Sequence, residues 1–544
     1  MAKEEIERIE YPNTDIWSTL FDRKNKGFPD DTVIYTTPSS SHSYTYQQTR
    51  QTTIAFATGL RHHFSFQKGQ VLALFAPNCI DTPAITWGTH FAGGIVSPAN
   101  PAYTVRELAH HLKDSGSSIL ITQAQLLKVA LQAAQEAGIP KTHVLLIGEG
   151  GAVDGVRHFS EILKEGGSEG DRVKVDPKTD LAFLVYSSGT TGLPKGVMLS
   201  HENIVADLFM GASVEGGLTR TGRDRVLSVL PYYHIYGLQC LVHFPMLLGL
   251  TTVVMPSFNL PDFCRIIQEH RITYTYLAPP VILHLAKSPI VSDYDLTSLK
   301  TITSGAAPLT KELIFGVHKR LGIHVKQAYG LSETSPVTHI QKHWDVALGS
   351  VGPALPNQTV LFMSPDAKEV PHGTEGEIWI RGPNVFKGYL NNENATKECL
   401  TEDGFFKTGD IGYRDEDGNM YVTDRVKELI KYKGFQVAPA ELEGLLMGME
   451  DVQDVAVVGV HDKERETEIP VACIVPAKGV VRGREAEERI VKWVAERVAG
   501  HKQLRGGVRW VDEVPKSASG KILRRELRTW LKEEKEKGRV KARL

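Results

Sequence analysis

Short apolar runs alternate with amphipathic helical patterns through most of the chain. Residues 181–186 (LAFLVY) predict a buried strand, and residues 225–230, 301–304 and 323–328 predict three more. Each of these strands runs into a polar or glycine-containing loop. Such alternation is typical of α/β layers with parallel strands, and the carboxyl ends of parallel strands are where such sheets place ligands.

Two helices are predicted from residues that start or stop them. Ser200 is a predicted N-cap, and the segment after it carries an apolar face that includes Ile204 and Leu208. A later helix has Leu313 and Val317 on its apolar face, and Gly322 is expected to end it. Both helices fit between the predicted strands of the α/β layers.

The pattern changes after about residue 424. The later part predicts two short strands and two charged amphipathic helices. These four segments are 455–460, 471–475, 485–499 and 522–534. We therefore predict a large α/β domain of layered subdomains, residues 1–424, followed by a small α+β domain, residues 425–544.

Residues 226–256 form the most apolar region of the chain. A membrane span needs about 20 consecutive apolar residues. His234, Gln239, His243 and Pro245 interrupt this region. We therefore predict buried strand and helix here, and no transmembrane segment.

The composition narrows the functional classes. The chain has 544 residues, 41% of them hydrophobic and 23% charged, and its formal net charge is -2. This near-neutral balance argues against nucleic-acid binding as the main role. The five cysteines are scattered and form no CxxC pair, so neither a zinc ribbon nor a disulfide framework is indicated.

The loop after the first predicted strand has the residue types that a phosphate group needs. Its glycines let backbone N–H groups turn inward, and Lys195 supplies a positive charge. The other predicted donors of this loop are Ser187, Ser188, Gly189, Thr190 and Thr191. A Walker loop is not matched, because Lys195 lies between a proline and a glycine. On its own, the loop could also be a generic Ser/Gly turn.

A set of motifs in a fixed order resembles the adenylate-forming superfamily of acyl-CoA synthetases, peptide-synthetase adenylation domains and beetle luciferases. The likeness is strongest to 4-coumarate:CoA ligase-type enzymes and extends over nearly the whole chain. The motifs are SSGTTGLPKGV (187–197), PYYHIYG (231–237), SGAAPL (304–309), QAYGLSET (327–334), GEIWIRGP (376–383), KTGD (407–410), DRVKELIKYKGFQVAPAELE (424–443) and PKSASGKILRREL (515–527).

The resemblance implies a two-step reaction that uses ATP, Mg²⁺ and coenzyme A. A carboxylate attacks the α-phosphate of Mg-ATP and gives an acyl-adenylate and pyrophosphate. The thiol of coenzyme A then attacks the acyl carbon and releases AMP. It also implies that the small domain is mobile, so that one active site serves both steps in turn.

For the first step, the resemblance implies that Glu333 binds Mg²⁺ and that Lys521 is the adenylation lysine. Ser332 and Thr334 are the implied donors to phosphate or adenylate. The nucleoside is expected to contact a further group of residues. This group is Asp410 and Arg425 at the ribose, Ala306, Ala307 and Pro308 at the adenine, and Gln327, Ala328, Tyr329 and Gly330 along the neighbouring segment.

For the second step, the resemblance implies that His234 gates the acid and the incoming thiol. The remaining residues of this step lie in the small domain. They are Lys427 at the hinge, Lys431 and Gln436 for thioester formation and AMP contact, and Lys433 and Gly434 beside the pantetheine entrance.

The sequence leaves several classes of carboxylic acid as the possible substrate. The implied pocket residues are Tyr236, Gln239, Thr303, Pro336 and Val337. In plant coumarate ligases the position of Thr303 is a lysine that reaches the phenolic end of the substrate. A hydroxycinnamate, another aromatic acid or a fatty acid are therefore all expected substrates.

Several alternatives remain beside the CoA ligase. They are a free-standing adenylation enzyme that loads a carrier protein, a luciferase-like oxygenase and a non-catalytic relative. The last three residues, Ala542, Arg543 and Leu544, resemble the SKL peroxisomal address. We therefore expect a peroxisomal location and binding by a peroxisomal import receptor.

Overall fold

A computed structural model describes residues 7–164, 167–187, 194–217, 219–426, 428–433, 435–462, 467–517 and 520–541. Several predicted site residues lie outside this part of the chain. They are Ser188, Gly189, Thr190, Thr191, Lys427, Gly434, the side chain of Gln436, and the last three residues, Ala542, Arg543 and Leu544.

The strands, in chain order, are β1 (Val33–Thr36), β2 (Ser43–Thr45), β3 (Val71–Phe75), β4 (Ile95–Ala99), β5 (Ser117–Thr122), β6 (Val144–Leu146), β7 (Leu181–Ser187), β8 (Lys195–Ser200), β9 (Arg225–Ser228), β10 (Thr251–Val254), β11 (Tyr274–Leu277), β12 (Thr301–Ser304), β13 (His324–Gly330), β14 (Val337–Ile340), β15 (Thr359–Met363), β16 (Gly376–Arg381), β17 (Phe406–Arg414), β18 (Met420–Arg425), β19 (Ile430–Tyr432), β20 (Phe435–Val437), β21 (Val452–Asp462), β22 (Thr467–Pro476) and β23 (Val508–Trp510).

The helices are α1 (Ile16–Phe21), α2 (Tyr46–Phe64), α3 (Thr82–Phe91), α4 (Val105–Ser115), α5 (Leu127–Ala137), α6 (His201–Glu215), α7 (Ile235–Gly237), α8 (Phe244–Leu248), α9 (Leu260–His270), α10 (Pro279–Lys287), α11 (Lys311–Leu321), α12 (Glu393–Cys399), α13 (Pro439–Met447), α14 (Arg484–Ala495) and α15 (Arg524–Lys541). A π-helical turn, Leu238–His243, joins α7 to α8.

Two largely parallel sheets form the large N-terminal part. The first has the order β6-β5-β3-β4-β7-β8, and its strands are parallel except for the edge strand β8. The second has the order β14-β13-β12-β11-β9-β10-β1-β2, with antiparallel strands at both edges. This arrangement confirms the α/β fold class expected from the sequence.

The predicted helix ends agree with the structure. Ser200 caps α6 and accepts a hydrogen bond from the backbone N–H of Asn203, whose side chain in turn accepts from the N–H of Ser200. Gly322 follows α11 with a φ of 70°, a left-handed conformation that glycine adopts without strain. Strand β8 was not expected, since the sequence analysis carried the polar loop directly into helix α6.

The hydrophobic core lies between the sheets and their helices. Helix α3 is buried along its whole length, and its Trp87 packs against Phe21 and His243. The apolar region predicted to be buried, residues 226–256, supplies β9, β10 and the buried π-helical turn. Within the described residues, no helix has both the length and the apolar character to cross a membrane.

An antiparallel sheet, β15-β16-β17-β18, connects the large part to the small C-terminal part. The predicted domain boundary after residue 424 therefore lies inside β18 and stays a prediction. Beyond it, β21, β22 and β23 form one small sheet, and β19 and β20 form a hairpin. Helices α13, α14 and α15 complete this α+β unit.

Candidate active site

The predicted motif loops meet at one edge of the eight-stranded sheet. The loop PYYHIYG follows β9, SGAAPL follows β12, and LSET follows β13. These strands run parallel through β11. Their carboxyl ends therefore lie at the same edge of the sheet, which is the usual place for a ligand in an α/β fold.

Asp410, Arg425 and Tyr329 form a hydrogen-bonded group beside this edge. Arg425 donates from Nε to Asp410 Oδ1, and the Tyr329 hydroxyl donates to Asp410 Oδ2 over 2.6 Å. Burial alone would lower the pKa of Arg425, but the charge of Asp410 and its hydrogen bond raise it above its ordinary value. The carboxylate of Asp410 is 3% exposed and is fixed in position by two donors.

Lys521 of the small domain reaches this group. Burial and the charge of Arg425 lower the pKa of Lys521 to about 8, while the carboxylates of Glu428, Asp410 and Glu333 act in the opposite direction. The ammonium group therefore lies in the electrostatic field of Asp410, the predicted ribose acceptor, and of Glu333, the predicted Mg²⁺ ligand.

Gly520 lets the loop that carries Lys521 come close to Ala278 and Pro280 of the large part. Its φ is 82°, and a Cβ atom there would lie 2.8 Å from Pro280 Cδ and 3.1 Å from Ala278 Cβ. A side chain at this position would both strain the backbone and push the loop away from the start of α10. Glycine thus lets the small domain present Lys521 to the large one.

Glu333 and Lys195 meet around one aromatic ring. The hydroxyl of Tyr389 donates to Glu333 Oε1 over 2.8 Å, and Lys195 Nζ lies 4.7 Å from the centroid of the Tyr389 ring. Burial and the charge of Glu333 raise the pKa of Tyr389 far above its ordinary value, so its hydroxyl remains a donor. Ser187 is the cross-strand partner of Lys195, so both lie at the base of the predicted phosphate loop.

His234 lies within the field of Lys521. It caps α7, and its Nδ1 accepts a hydrogen bond from the backbone N–H of Tyr236 over 3.3 Å. Burial and the charge of Lys521 lower the pKa of His234 to about 4. The imidazole is therefore neutral at pH 7, and with Nδ1 as acceptor its proton is on Nε2.

A cavity, here called the inner pocket, lies next to this region, because Tyr236, two residues after His234, is part of its lining. Four of the five predicted acid-contacting residues line it, namely Tyr236, Gln239, Thr303 and Val337. The fifth, Pro336, precedes Val337 at the edge of the pocket. The carbonyl oxygen of Pro336 lies close to Gly330, and a Cβ atom on Gly330 would be 2.0 Å from this oxygen. Ala328 also lines the inner pocket.

Several predicted nucleotide contacts are engaged within the protein. The Thr334 hydroxyl donates to Pro336 O over 2.6 Å and accepts from the N–H of Leu331, and Thr334 is fully buried. The side-chain amide of Gln327 donates to Ser350 O over 3.0 Å. In this conformation both side chains are hydrogen-bonded within the protein, and their predicted contacts with nucleotide stay predictions. Ser332 is half-buried in the same turn.

The SGAAPL loop borders the opening of the site. Ala306 and Pro308 are exposed, and Ala307 is half-buried. Ala306 has a φ of 74°, which is a left-handed conformation that a residue with a Cβ adopts only with strain.

The residues predicted for the second step lie apart from this cluster. Lys431 and Lys433 are exposed on the β19–β20 hairpin, where their backbone N–H groups donate to Glu468 and Thr467. Among the described residues, none of the hydrogen bonds and ion pairs found joins this hairpin to Asp410, Glu333 or Lys521. The structure therefore brings together the residues predicted for adenylate formation and leaves the predicted thioester residues elsewhere.

Neither Tyr389 nor the buried ion pair of Lys326 and Glu215 was predicted from the sequence. Tyr389 follows the GEIWIRGP motif by only a few residues, but nothing in its local pattern indicates a contact with Glu333. Lys326 is a charged residue in a buried strand, and that was an available signal. Its partner Glu215 lies at the end of α6, and the two residues are 111 positions apart.

The chain matches known family models over most of its length. The family model described as AMP-binding enzyme matches residues 21–390, and the model of its C-terminal domain matches residues 441–521. A probable 4-coumarate–CoA ligase 1 of Dictyostelium discoideum is 39% identical over 87% of both chains. A 4-coumarate–CoA ligase of Pinus taeda is 37% identical over 91% of both chains.

A solved structure gives the same result for the fold. The ATP-bound crystal structure of MatB from Rhodopseudomonas palustris superposes with a TM-score of 0.84 at 28% identity, and the match covers 95% of this chain and 99% of MatB. The match spans both the large part and the small C-terminal part.

Proposed function

The chain belongs to the AMP-binding enzyme family, and from this premise we propose that it is an ATP-dependent acid:CoA ligase. It joins a carboxylic acid to AMP, releases pyrophosphate, and then transfers the acyl group to coenzyme A. The observation that carries the proposal is the position of Lys521 in the electrostatic field of Asp410 and Glu333 and close enough to act on His234, two residues before Tyr236 of the inner pocket.

The first step must bring an anionic acid to an anionic triphosphate. In the proposed arrangement Asp410 accepts hydrogen bonds from the ribose hydroxyls, and Arg425 and Tyr329 hold its carboxylate in place. Lys521 offsets the charge of the acid and the α-phosphate, and it stabilises the charge that develops during attack. Lys195 is positioned to serve the outer phosphates.

Mg²⁺ is part of the proposal, and the residues present fit it. This ion usually binds through one or two carboxylates together with substrate phosphates and water. Glu333 offers one carboxylate, and its Oε1 is oriented by Tyr389. No group of three or more His, Cys, Asp or Glu side chains that could hold a metal by themselves occurs in the described residues. Glu333 would therefore hold the ion jointly with ATP, and the ion would neutralise phosphate charge.

For the second step we propose that the small domain rotates. Lys521 then withdraws, and the exposed β19–β20 hairpin with Lys431 and Lys433 moves to the site. His234 belongs to the large part, and we propose that it gates the incoming thiol in this arrangement. A rotation of this kind lets one site meet the different charge requirements of two reactions.

Pyrophosphate release from the purified protein tests the proposal. The acids are hydroxycinnamates, benzoates, phenylacetates and fatty acids of graded length, each with and without coenzyme A and with and without Mg²⁺. We expect release that needs one class of acid and Mg²⁺, with an acyl-CoA product identified by mass.

The other outcomes separate the alternatives. Adenylate without thioester indicates an enzyme that loads a carrier protein, and light emission with oxygen indicates a luciferase-like reaction. No release with any acid, together with ATP binding, indicates a non-catalytic relative.

We also propose import into peroxisomes, based on Ala542, Arg543 and Leu544. The test is a fluorescent protein fused to residues 541–544, with the Leu544→Asp version of the same fusion as control. Punctate signal that colocalises with a peroxisomal marker and is lost in the control supports import. Diffuse signal from both fusions contradicts it.

A further inference from the structure

Lys521 lies in a short loop between β23 and α15, and the structure describes residues 515–517 and 520–523 of this loop. The backbone N–H of Ser517 donates to the carbonyl of Lys521 over 2.8 Å, and the N–H of Lys521 donates to the Ser517 hydroxyl over 3.1 Å. The side chain of Lys521 makes no hydrogen bond or ion pair with the described residues. The place of its ammonium group therefore depends on what holds the two ends of the loop.

Arg524, the first residue of α15, holds one end of the loop. Its Nη1 donates to Glu428 Oε2 over 2.5 Å, and its Nη2 donates to the two carboxylate oxygens of Glu443 over 2.8 and 2.7 Å. Its Nε donates to the carbonyl of Val457 over 3.3 Å. The side chains of Arg524, Glu428 and Glu443 are 9%, 12% and 10% exposed. A guanidinium is planar and its donors have fixed directions, so these bonds set the orientation of the start of α15 as well as its position.

Lys516 holds the other end of the loop. Its Nζ donates to Asp454 Oδ2 over 2.6 Å. Asp454 and Val457 both belong to β21, so the two ends of the loop are attached to the same strand. An ammonium group is a rotatable point charge, and its contact fixes a distance but not a direction. The direction of the loop is therefore set mainly at Arg524.

Glu428 connects this anchor to the large part. It comes directly after residue 427, the predicted hinge position, and its backbone N–H donates to the carbonyl of Arg425 over 2.9 Å. Arg425 in turn donates to Asp410, the predicted ribose acceptor. A continuous series of contacts thus joins the ribose acceptor to the start of α15.

Stability alone gives no reason for a charged cluster at this place. Burial raises the pKa of Glu443, and the charge of Arg524 acts in the opposite direction, so the ion pair offsets a desolvation cost. Apolar side chains of similar size would join α13 to α15 without that cost. They would not fix a direction, whereas a lysine that must reach a particular point in an active site needs a fixed direction.

We propose that Arg524 and Glu428 are positioning residues for Lys521. Their buried ion pair, completed by Glu443, sets the direction in which the loop presents Lys521 and ties this loop to the turn after the predicted hinge. Both residues act through Lys521 and not on the substrates. The inference rests on the proposed function and adds to it the residues that place the adenylation lysine.

The alternative is a purely structural role, in which Arg524 only joins α15 to the rest of the small domain. Its replacement would then reduce the amount of folded protein and would affect both half-reactions alike. A positioning role instead affects adenylate formation, the step that uses Lys521. It also changes the pH dependence of that step, because burial is the main cause that lowers the pKa of Lys521 and a displaced side chain is more solvated.

Arg524→Lys tests the inference, because it keeps the charge and loses the planar fork. We expect adenylate formation in single turnovers to fall by about 10- to 100-fold, since a misplacement of about 1 Å can have an effect of this size. Conversion of preformed acyl-adenylate to thioester should be nearly unchanged. The decrease of kcat/KM that we expect above about pH 8 should move to higher pH. The matched control is Arg525→Lys at the exposed neighbouring residue, which should behave as the parent protein does.

A double variant shows whether Arg524 acts through Lys521. In the Lys521→Ala protein, the addition of Arg524→Lys should cause no further loss of adenylate formation, whereas independent effects would add. Glu428→Gln is a milder change, because it leaves Arg524 paired with Glu443. It should slow adenylate formation in the parent protein and not in Lys521→Ala. Thermal unfolding shows whether each variant is folded.

Any of three results with folded Arg524→Lys would overturn the inference. They are an unchanged rate of adenylate formation, a decrease of kcat/KM at the same pH as in the parent protein, and an equal loss when Lys521 is already alanine. If Arg524→Lys does not fold, Glu428→Gln decides the inference by its effect on adenylate formation with and without Lys521.

A measurement that needs no activity separates this inference from the proposed function. If no acid releases pyrophosphate, the proposed function fails, but the titration of Lys521 is still measurable. Acetic anhydride labels deprotonated amines, and peptide mass spectrometry gives the labelling of Lys521 at each pH. We expect a midpoint at about pH 8 in the parent protein and a higher midpoint in Arg524→Lys. Equal midpoints in the two proteins contradict the inference.

Discussion

Arg425 donates a hydrogen bond from its guanidinium to the carboxylate of Asp410, and the two residues are cross-strand partners in the β17–β18 pair. Asp410 belongs to the large part of the molecule, and Arg425 lies directly after the predicted domain boundary. The sheet therefore fixes the predicted ribose acceptor at the point where the chain passes into the small domain. The proposed rotation of the small domain would start beside this pair.

The first prediction concerns this pair. Arg425→Met should lower kcat/KM for ATP by about 100-fold, because it leaves the Asp410 carboxylate without its charged partner. The measurement is pyrophosphate release at varied ATP with saturating acid. Arg381→Met is the matched control, because Arg381 lies in the same sheet and stacks on Phe405. A control that loses as much as Arg425→Met would show that the effect is on the sheet and not on ATP.

The second prediction separates the two half-reactions. Lys521→Ala should reduce adenylate formation by about 100-fold or more, since one preorganised donor at developing charge is worth that much. Conversion of preformed acyl-adenylate and coenzyme A to thioester should be nearly unaffected, because the proposed rotation withdraws Lys521 from the site. Both steps are measured in single turnovers. An equal loss in both would contradict the assignment of Lys521 to the first step alone.

The third prediction is that adenylate formation becomes slower at high pH. The pKa of Lys521 is lowered to about 8, so its charge is present at pH 7 and is lost as pH rises through about 8. We therefore expect kcat/KM for adenylate formation, which reports the free enzyme, to fall above about pH 8. Lys521→Arg should keep whatever activity it retains to higher pH, because a guanidinium does not deprotonate there. If kcat/KM fell at the same pH in the parent protein and in Lys521→Arg, the fall would be due to the titration of another group.

Local signals made much of the fold predictable. Ser200 and Gly322 act on the residues next to them, and the structure has a helix start and a helix end at these two positions. Strand β8 was not predicted because it begins with Lys195 and Gly196 and is defined by its pairing with β7. The residues of a strand do not by themselves determine which strand it pairs with.

The candidate site also contains residues that local motifs indicate and residues that only the fold brings together. Asp410 and Lys521 were identified from motifs, since each lies in a short distinctive string. Glu215 and Lys326 were not, because each alone is an ordinary charged residue and only the folded sheet and helix bring them into contact. What the sequence could not supply was long-range geometry, and the lining of the inner pocket depends on this geometry.

The fourth prediction compares two neighbouring alanines. Ala306 has a φ of 74°, whereas Ala307 is not among the residues with positive φ. Ala306→Gly should raise the melting temperature slightly, because relief of about 1–2 kcal/mol of left-handed strain exceeds the added entropy of the unfolded chain. Ala307→Gly is the control and should lower it, by about 0.5–1 kcal/mol in stability. The reverse order would mean that Ala306 is held without strain.

The fifth prediction concerns Asp424, which precedes Arg425 at the boundary of the domains. Its Oδ1 accepts from the backbone N–H of Arg425, and burial raises its pKa from 3.8 to about 7. The folded protein therefore holds a proton that the unfolded chain releases between these two pH values, so this residue destabilises the fold increasingly as pH rises from about 4 to 7. Asp424→Asn removes that dependence.

We therefore expect the melting temperature of Asp424→Asn, relative to the parent protein, to be higher at pH 8 than at pH 5. Calorimetry at intervals between these values measures the difference. The control is Asp512→Asn, which changes an exposed carboxylate paired with Arg482 on the small domain. Its difference from the parent should stay nearly constant with pH. If Asp424→Asn behaved in the same way, Asp424 would be ionised in the folded protein, and the proposed rotation would begin beside a charged carboxylate.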